Sequence, residues 1–360
     1  MVSGVGGAVG KRPLVTACLM VRNEEKNLER CLGSLSPLVD EIVVVDTGST
    51  DRTIEIARSF GATVQCTEWK NDFSFHRNQA IEMAHGVWVL IVDADEELLP
   101  LDFQDARTQL ENASLPEILL VQQMLRYPGG KEIRVLTARM FRKDTGIRFI
   151  HPIHEQLNVA DGRALLSPFV LVHHGYVTEE GLIQKERRNL AIAKGMSPDD
   201  IHGLHCRARS AMSLSDWPEM LEASSRILEL GAAPMLEVEA SVYAGMAAFN
   251  LDRLDEVERY VEKGMRIAPD LPDLFFLRFL SAGKRYERSL EGGDSRSGDT
   301  FARPWTFWHD RQQVELVLDV LTGKRRIGGG SIPPGQTGET LEKATGKQSG
   351  QIETSCEGGD

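Results

Sequence analysis

The stretch Val87–Leu98 reads V-W-V-L-I-V-D-A-D-E-E-L. Six apolar residues run into Asp93, Asp95, Glu96 and Glu97, four acids within five positions. Carboxylates this crowded repel one another, and each loses solvation when it leaves water. A buried strand that ends this way feeds either a solvated turn or a place where positive charge is held.

Working upstream, short apolar runs alternate with helical stretches. Leu14–Met20 reads as a strand, Glu24–Ser36 as a helix, and Glu41–Asp46 (E-I-V-V-V-D) as a second strand. That strand is nearly all β-branched, as expected when both of its faces are covered. Thr50–Phe60 reads as a helix, Thr63–Cys66 as a strand, His76–His85 as a helix and Val87–Asp93 as the fourth strand. Such alternation predicts an α/β fold, a mostly parallel sheet with helices on both faces. Ligands in these sheets collect at the carboxyl ends of the strands. Asp46 and Asp93 each end a strand, so both belong to one rim.

Downstream, Leu101–Asn112 reads as a helix, and Glu117–Leu125, Glu132–Phe141 and Phe169–His174 as strands, with a turn signal in Y-P-G-G at Tyr127–Gly130. Residues 13–178 are therefore expected to form one domain and 179–325 a helical one. Within the latter, Trp217–Gly231 aligns with Leu254–Ala268 at an offset of 37, and Ala208, Ala211 and Leu214 fall on Gly245, Ala248 and Leu251. The pattern resembles a tetratricopeptide repeat. The Gly-rich residues 1–12 and the polar residues 326–360 are expected to be disordered tails.

Composition narrows the classes. The chain has 360 residues, 41% hydrophobic and 26% charged, with a net charge of -12. Such an acidic balance argues against nucleic-acid binding, which needs a basic face. No run approaches the ~18 apolar residues of a transmembrane segment. The N-terminus lacks the apolar core of a signal peptide. The five cysteines show no CxxC pair, which fits a reduced, cytoplasmic protein.

Residue by residue, the rim offers paired readings. Asp93 and Asp95, two positions apart, would face one side of an extended chain and could seat a hard divalent cation. Acids at a helix N-terminus would look the same. Asp46, followed by Thr47-Gly48-Ser49-Thr50, is either a turn with a helix cap or an acceptor for a base or ribose. Arg77 is either a diphosphate contact or a surface cation.

Four motifs then occur in order: L-M-V-R-N-E-E (Leu19–Glu25), V-V-D-T-G-S-T-D-R-T, D-F-S-F-H-R-N-Q-A and V-L-I-V-D-A-D-E-E. Together they closely resemble the family 2 glycosyltransferases of the GT-A fold, over about Leu14 to Leu98. One departure is Thr47, where many members carry a second Asp. The resemblance implies a nucleotide-diphosphate sugar donor, foremost a UDP-hexose, and transfer with inversion. By position it implies that Val21, Arg22, Asn23 and Asp46 line the nucleoside pocket and that Arg77 lies near the nucleotide. Asp93 would contact ribose or the water shell of a metal, and Asp95 would bind Mn²⁺ or Mg²⁺ bridging the diphosphate. That dication would be the positive charge missing from the acidic cluster.

R-F-I-H-P-I-H-E-Q-L (Arg148–Leu157), V-H-H-G-Y (Val172–Tyr176) and K-E-R-R-N-L (Lys185–Leu190) are similar to a subgroup that carries helical repeats behind the catalytic domain. There His173, or less well His174, would complete the metal site, since an imidazole among carboxylates suits Mn²⁺; the alternative for either is a hydrogen-bonded core or surface histidine. Glu155 is the candidate general base, against the alternative of a salt bridge holding its loop, with Glu96 and Glu97 as fallbacks. The helical region would hold a peptide, protein or glycan acceptor, or mediate a homodimer. The rival reading is a helical-repeat scaffold with an inactive transferase domain.

Overall fold

The computed structural model describes residues 12–126, 132–159, 164–175 and 179–291. Residues 1–11 and 326–360 of the expected tails, the Y-P-G-G turn and residues 292–325 of the expected helical region lie outside these.

The first strands are β1 (Val15–Val21), β2 (Glu41–Asp46), β3 (Thr63–Cys66) and β4 (Trp88–Ile91). They pair in parallel in the order β3-β2-β1-β4. The connecting helices are α1 (Leu28–Leu35), α2 (Thr53–Ser59) and α3 (Phe73–Met83). Side chains alternate across β1. Val15, Ala17, Leu19 and Val21 join one core with Leu28, Cys31, Leu32 and Leu35 of α1, while Cys18 joins the opposite core with Ala80 and Ile81 of α3. The four α1 residues fall at the i, i+3, i+4, i+7 spacing of one helix face, and all are fully buried. Each buried leucine there contributes about 1.5–3 kcal/mol. The expected mostly parallel sheet with helices on both faces is thus what these residues form.

Beyond β4 the sheet becomes mixed. After β5 (Glu96–Leu98) and α4 (Phe103–Leu110) come β6 (Ile118–Arg126), β7 (Glu132–Arg142), the short pair β8 (Phe149–Ile150) and β9 (Gln156–Leu157), and β10 (Ala164–His173). The eight-stranded order is β3-β2-β1-β4-β7-β6-β10-β5. Because β1 lies between β2 and β4, the chain runs from β1 to one side through β2 and β3 and then crosses back to β4 on the other. Such a switch point is where sheets of this kind bind ligands.

Several boundaries differ from the sequence reading. α1 starts at Leu28 rather than Glu24, because Asn23 takes a left-handed φ of 56° and residues 24–27 turn first. α3 starts at Phe73, three residues before the expected His76, because the Asp72 side chain accepts from the Phe75 amide at 2.8 Å and caps it there. The strand expected to end at Asp93 closes at Ile91. Glu96–Leu98, read as part of an acidic turn, pairs antiparallel with β10 and sets Glu96 opposite His173.

The rest is helical: α5 (Glu179–Lys194), α6 (Ile201–Ser213), α7 (Trp217–Leu230), α8 (Pro234–Asn250), α9 (Leu254–Met265) and α10 (Pro272–Glu291). Small residues at the repeat positions let the helices approach closely. Ala208, Ala211 and Ala248 are fully buried, and a Cβ on Gly264 would lie 2.8 Å from a Leu274 methyl. The sheet and the helices through Ser281 cluster into one compact unit. Among the described residues no helix is long and apolar enough to cross a membrane.

Candidate active site

The turn after β2 and the turn after β1 are bolted together. Asp46 is 1% exposed; its Oδ1 accepts from the Gly48 and Ser49 amides, both at 3.0 Å. Gly48 has φ 105°, which a side chain would resist. Asn23 Oδ1 accepts from the Thr50 amide at 2.8 Å, and the Asn23 amide donates to Ser49 Oγ at 2.8 Å. Thr47, the departure from the family pattern, is buried and donates its hydroxyl to the Val21 carbonyl at 3.1 Å. Val21 and Asn23 therefore border the Asp46 turn, while the Arg22 side chain is exposed. Asp46 Oδ2 is buried with no hydrogen-bond partner, an acceptor left open at the rim.

Asp93 answers the question of the acidic cluster differently from the sequence reading. Its carboxylate is gripped by Arg77, Nη2 to Oδ1 at 2.8 Å, and by Arg139 of β7, Nη2 to Oδ2 at 3.0 Å. Arg139 also lies 3.6 Å from Glu96, which is fully buried, accepts from the Asp93 amide at 2.8 Å and takes a hydrogen bond from Gln123 of β6. Burial alone would raise the Asp93 pKa, but Arg139 and Arg77 overcome it and hold the carboxyl well below its usual range. Burial pushes Glu96 up to about 7, with Arg139 opposing and Asp93 adding. Much of the cluster's counter-charge is thus built into the protein as two buried guanidiniums. The expectation that a dication supplies it is corrected for Asp93 and Glu96.

Asp95 stands apart from this network. His173, at the end of β10, brings Nε2 to 3.5 Å from Asp95 Oδ2, and the His174 amide donates to the Asp95 carbonyl at 2.9 Å. The register of β5 against β10 makes this meeting, since Glu96 faces His173 across the ladder. A Cβ on Gly175 would sit 1.9 Å from Asp95 Oδ2 and 2.7 Å from His173 Cε1. Only glycine leaves room for this pair. Burial raises the Asp95 pKa, against the pull of His173, and burial lowers that of His173. Among the described residues no group of three or more His, Cys, Asp or Glu converges as a complete metal cage. One carboxylate and one imidazole nevertheless suit Mn²⁺ or Mg²⁺ when substrate phosphates supply further oxygens. The residues fit such an ion. Glu97 turns elsewhere, to His174 Nε2 at 3.0 Å and Arg30 at 3.8 Å.

Glu155 lies on the loop between β8 and β9. Its Oε1 accepts from Arg77 Nε at 2.6 Å, so Arg77 spans Glu155 and Asp93. Arg77 is 8% exposed, buried rather than a surface cation. The rim therefore gathers Val21, Asn23 and Asp46 at β1 and β2, Asp93 and Asp95 after β4, and His173 at the end of β10, with Arg77 joining Glu155 to Asp93. Arg139, Gln123 and Gly175 were missed in the sequence. Arg139 and Gln123 sit inside strands read only for their apolar pattern, and Gly175 adjoins a histidine pair that drew the attention.

Residues 16–153 match the family model described as Glycosyl transferase family 2. A TPR repeat-containing protein of Synechococcus elongatus is 35% identical over 52% of this chain and 50% of its own length. The SPbeta prophage-derived glycosyltransferase SunS of Bacillus subtilis is 32% identical over 51% of this chain and 45% of its own. The chain thus spans about half the length of these curated relatives. Among solved structures, S. aureus TarS 1-349 in complex with UDP-GlcNAc is similar at 16% identity and a TM-score of 0.41, covering 76% of this chain and 92% of that one.

Proposed function

We propose, reading residues 16–153 as a family 2 glycosyltransferase domain on the strength of the family match, that the protein transfers a hexose from a UDP-sugar to a peptide, protein or glycan acceptor, with inversion and with Mn²⁺ or Mg²⁺. The observation that carries this reading is the rim itself: an open, buried acceptor at Asp46 Oδ2 and a carboxylate–imidazole pair at Asp95 and His173 stand at strand ends of one sheet.

In this reading Asp46 accepts an N–H of the base, and the Val21–Asn23 turn walls the nucleoside. Asp95 and His173 would hold a divalent ion, which when bound would supply positive charge toward the diphosphate leaving group. The acceptor's oxygen or sulfur attacks the anomeric carbon as the bond to the diphosphate breaks, through an oxocarbenium-like transition state. Glu155 takes the acceptor's proton, oriented by Arg77. Asp93, held by two arginines, fixes the turn that carries Asp95, and the helical region offers the acceptor surface or a contact between two copies. A scaffold with an inactive front domain would tolerate loss of these acids, yet Asp46, Asp93 and Asp95 all stand at the rim.

The test is a melting-temperature screen of nucleotide sugars with and without Mn²⁺, followed by transfer assays. A ligand at a hundredfold excess over its Kd adds about 2.7 kcal/mol to stability. Asp95→Ala should abolish both the Mn²⁺-dependent shift and transfer while keeping the unliganded melting temperature. Wild-type transfer rates in Asp95→Ala would sink the proposal.

A further inference from the structure

We propose that His202 of α6 is a positioning residue for the transfer step: the helical region, through this side chain, holds the loop that presents Glu155. This inference rests on the assignment of Glu155 made above.

The loop H-P-I-H-E, residues 151–155, is held in an unusual shape. His151 and His154 both take left-handed backbone angles, φ 72° and 48°, which residues other than glycine adopt only when their surroundings enforce it. Two sets of contacts do the enforcing. From α3, the Ser74 hydroxyl donates to the His151 carbonyl and the Phe73 amide donates to the Pro152 carbonyl at 2.8 Å. From α6, His202 Nε2 donates to the Ile153 carbonyl at 2.8 Å. A carbonyl can only accept, so this bond places the proton on Nε2. The His202 ring also stacks on His151, with centroids 3.9 Å apart and planes 14° from parallel.

Ile153 itself is 4% exposed and packs with Ile192 and Ala193 of α5 and Cys206 of α6. The division of labour matters. The sheet domain's own helix anchors the carbonyls of residues 151 and 152, whereas the anchor on residue 153, two before Glu155, comes from the helical region. His202 is fixed in turn: it lies in the first turn of α6, where Asp200 Oδ1 accepts from the Gly203 amide at 3.1 Å and caps the helix. A Glu155 that drifts with its loop would lose Arg77, which it meets at 2.6 Å.

Two substitutions in the full chain separate bond from ring. His202→Phe keeps the stacked ring and loses the donor; His202→Gln keeps a donor near the Nε2 position and loses the ring. In His202→Phe, amide hydrogen exchange over residues 151–155 should speed up, and kcat should fall about ten- to a hundredfold with donor KM nearly unchanged, since small displacements of a catalytic group cost that much. His202→Gln should recover most of both losses. Unchanged exchange and kcat in His202→Phe would overturn the proposal. So would equal losses in both variants that track a common fall in melting temperature. If the wild-type chain transfers no sugar from any donor, the functional reading fails by itself, and the exchange measurement still decides whether His202 holds the loop.

Discussion

Replacing Arg139 by Met tests the electrostatics of the rim directly. Methionine retains much of the apolar stem, so packing is largely kept while the charge goes. Removing one partner of a buried ion pair costs about 3–5 kcal/mol, but here Asp93 keeps Arg77, and the fully buried Glu96 can take up a proton. The loss should therefore depend on pH. In the wild type, Glu96 has a folded-state pKa of about 7 against an ordinary 4.5. Between those values the folded state holds a proton that the unfolded chain releases, so stability declines as pH rises through the window, by about 1.4 kcal/mol per unit. Above pH 7 the wild-type decline stops. Without Arg139, whose charge opposes the upward shift, the folded pKa moves higher and the decline continues. Urea unfolding should show a loss of about 1–2 kcal/mol near pH 6, from the broken Asp93 bond. At pH 8.5 the loss should be about 2 kcal/mol larger. Adding Glu96→Gln to the Arg139→Met background should flatten the difference. A loss equal at both pH values would mean that Arg139 matters for packing alone, and the charge argument would be refuted.

Gly175→Ala should place a methyl against Asp95 Oδ2 and His173, abolishing the Mn²⁺-dependent melting shift; a full Mn²⁺ response in this variant would remove the metal from that pair. Asp46→Asn should weaken UDP binding by calorimetry about tenfold, the equivalent of one lost hydrogen bond, and unchanged affinity would free Asp46 from base recognition. Asp216→Ala, far from the rim, removes the cap that accepts from the Glu219 amide on α7. It should lower stability by about 1 kcal/mol in urea with transfer rates untouched.

The parallel half of the sheet was readable because its signals are local. E-I-V-V-V-D is long enough, apolar enough and β-branched enough to be a doubly covered strand, and it is one, with Val43, Val44 and Val45 fully buried. The Asp72 cap was also present in D-F-S-F, four residues ahead of the helix start that periodicity suggested. What composition and period could not reveal was register. Glu96 and Glu97 carry charges that disfavour a strand, and only pairing with β10 makes them one. That pairing spans some seventy-five residues, and nothing local to either segment encodes it.

The same limit separates the two aspartates that opened the sequence reading. As D-A-D they look equivalent, and their spacing suggested a shared seat for one cation. Long-range contacts divide them. Asp93 is claimed by guanidiniums from α3 and β7, sixteen and forty-six residues away, and is already neutralised in the folded chain. Asp95 meets an imidazole from the end of β10 and sits where a missing Cβ leaves space. A carboxylate whose charge is satisfied within the protein gains little from a metal, while one facing a lowered-pKa histidine has a ligand waiting beside it. The acidic run therefore divides in two: Asp93 with Glu96 is held by Arg77 and Arg139, and Asp95 is the carboxylate left for the proposed metal.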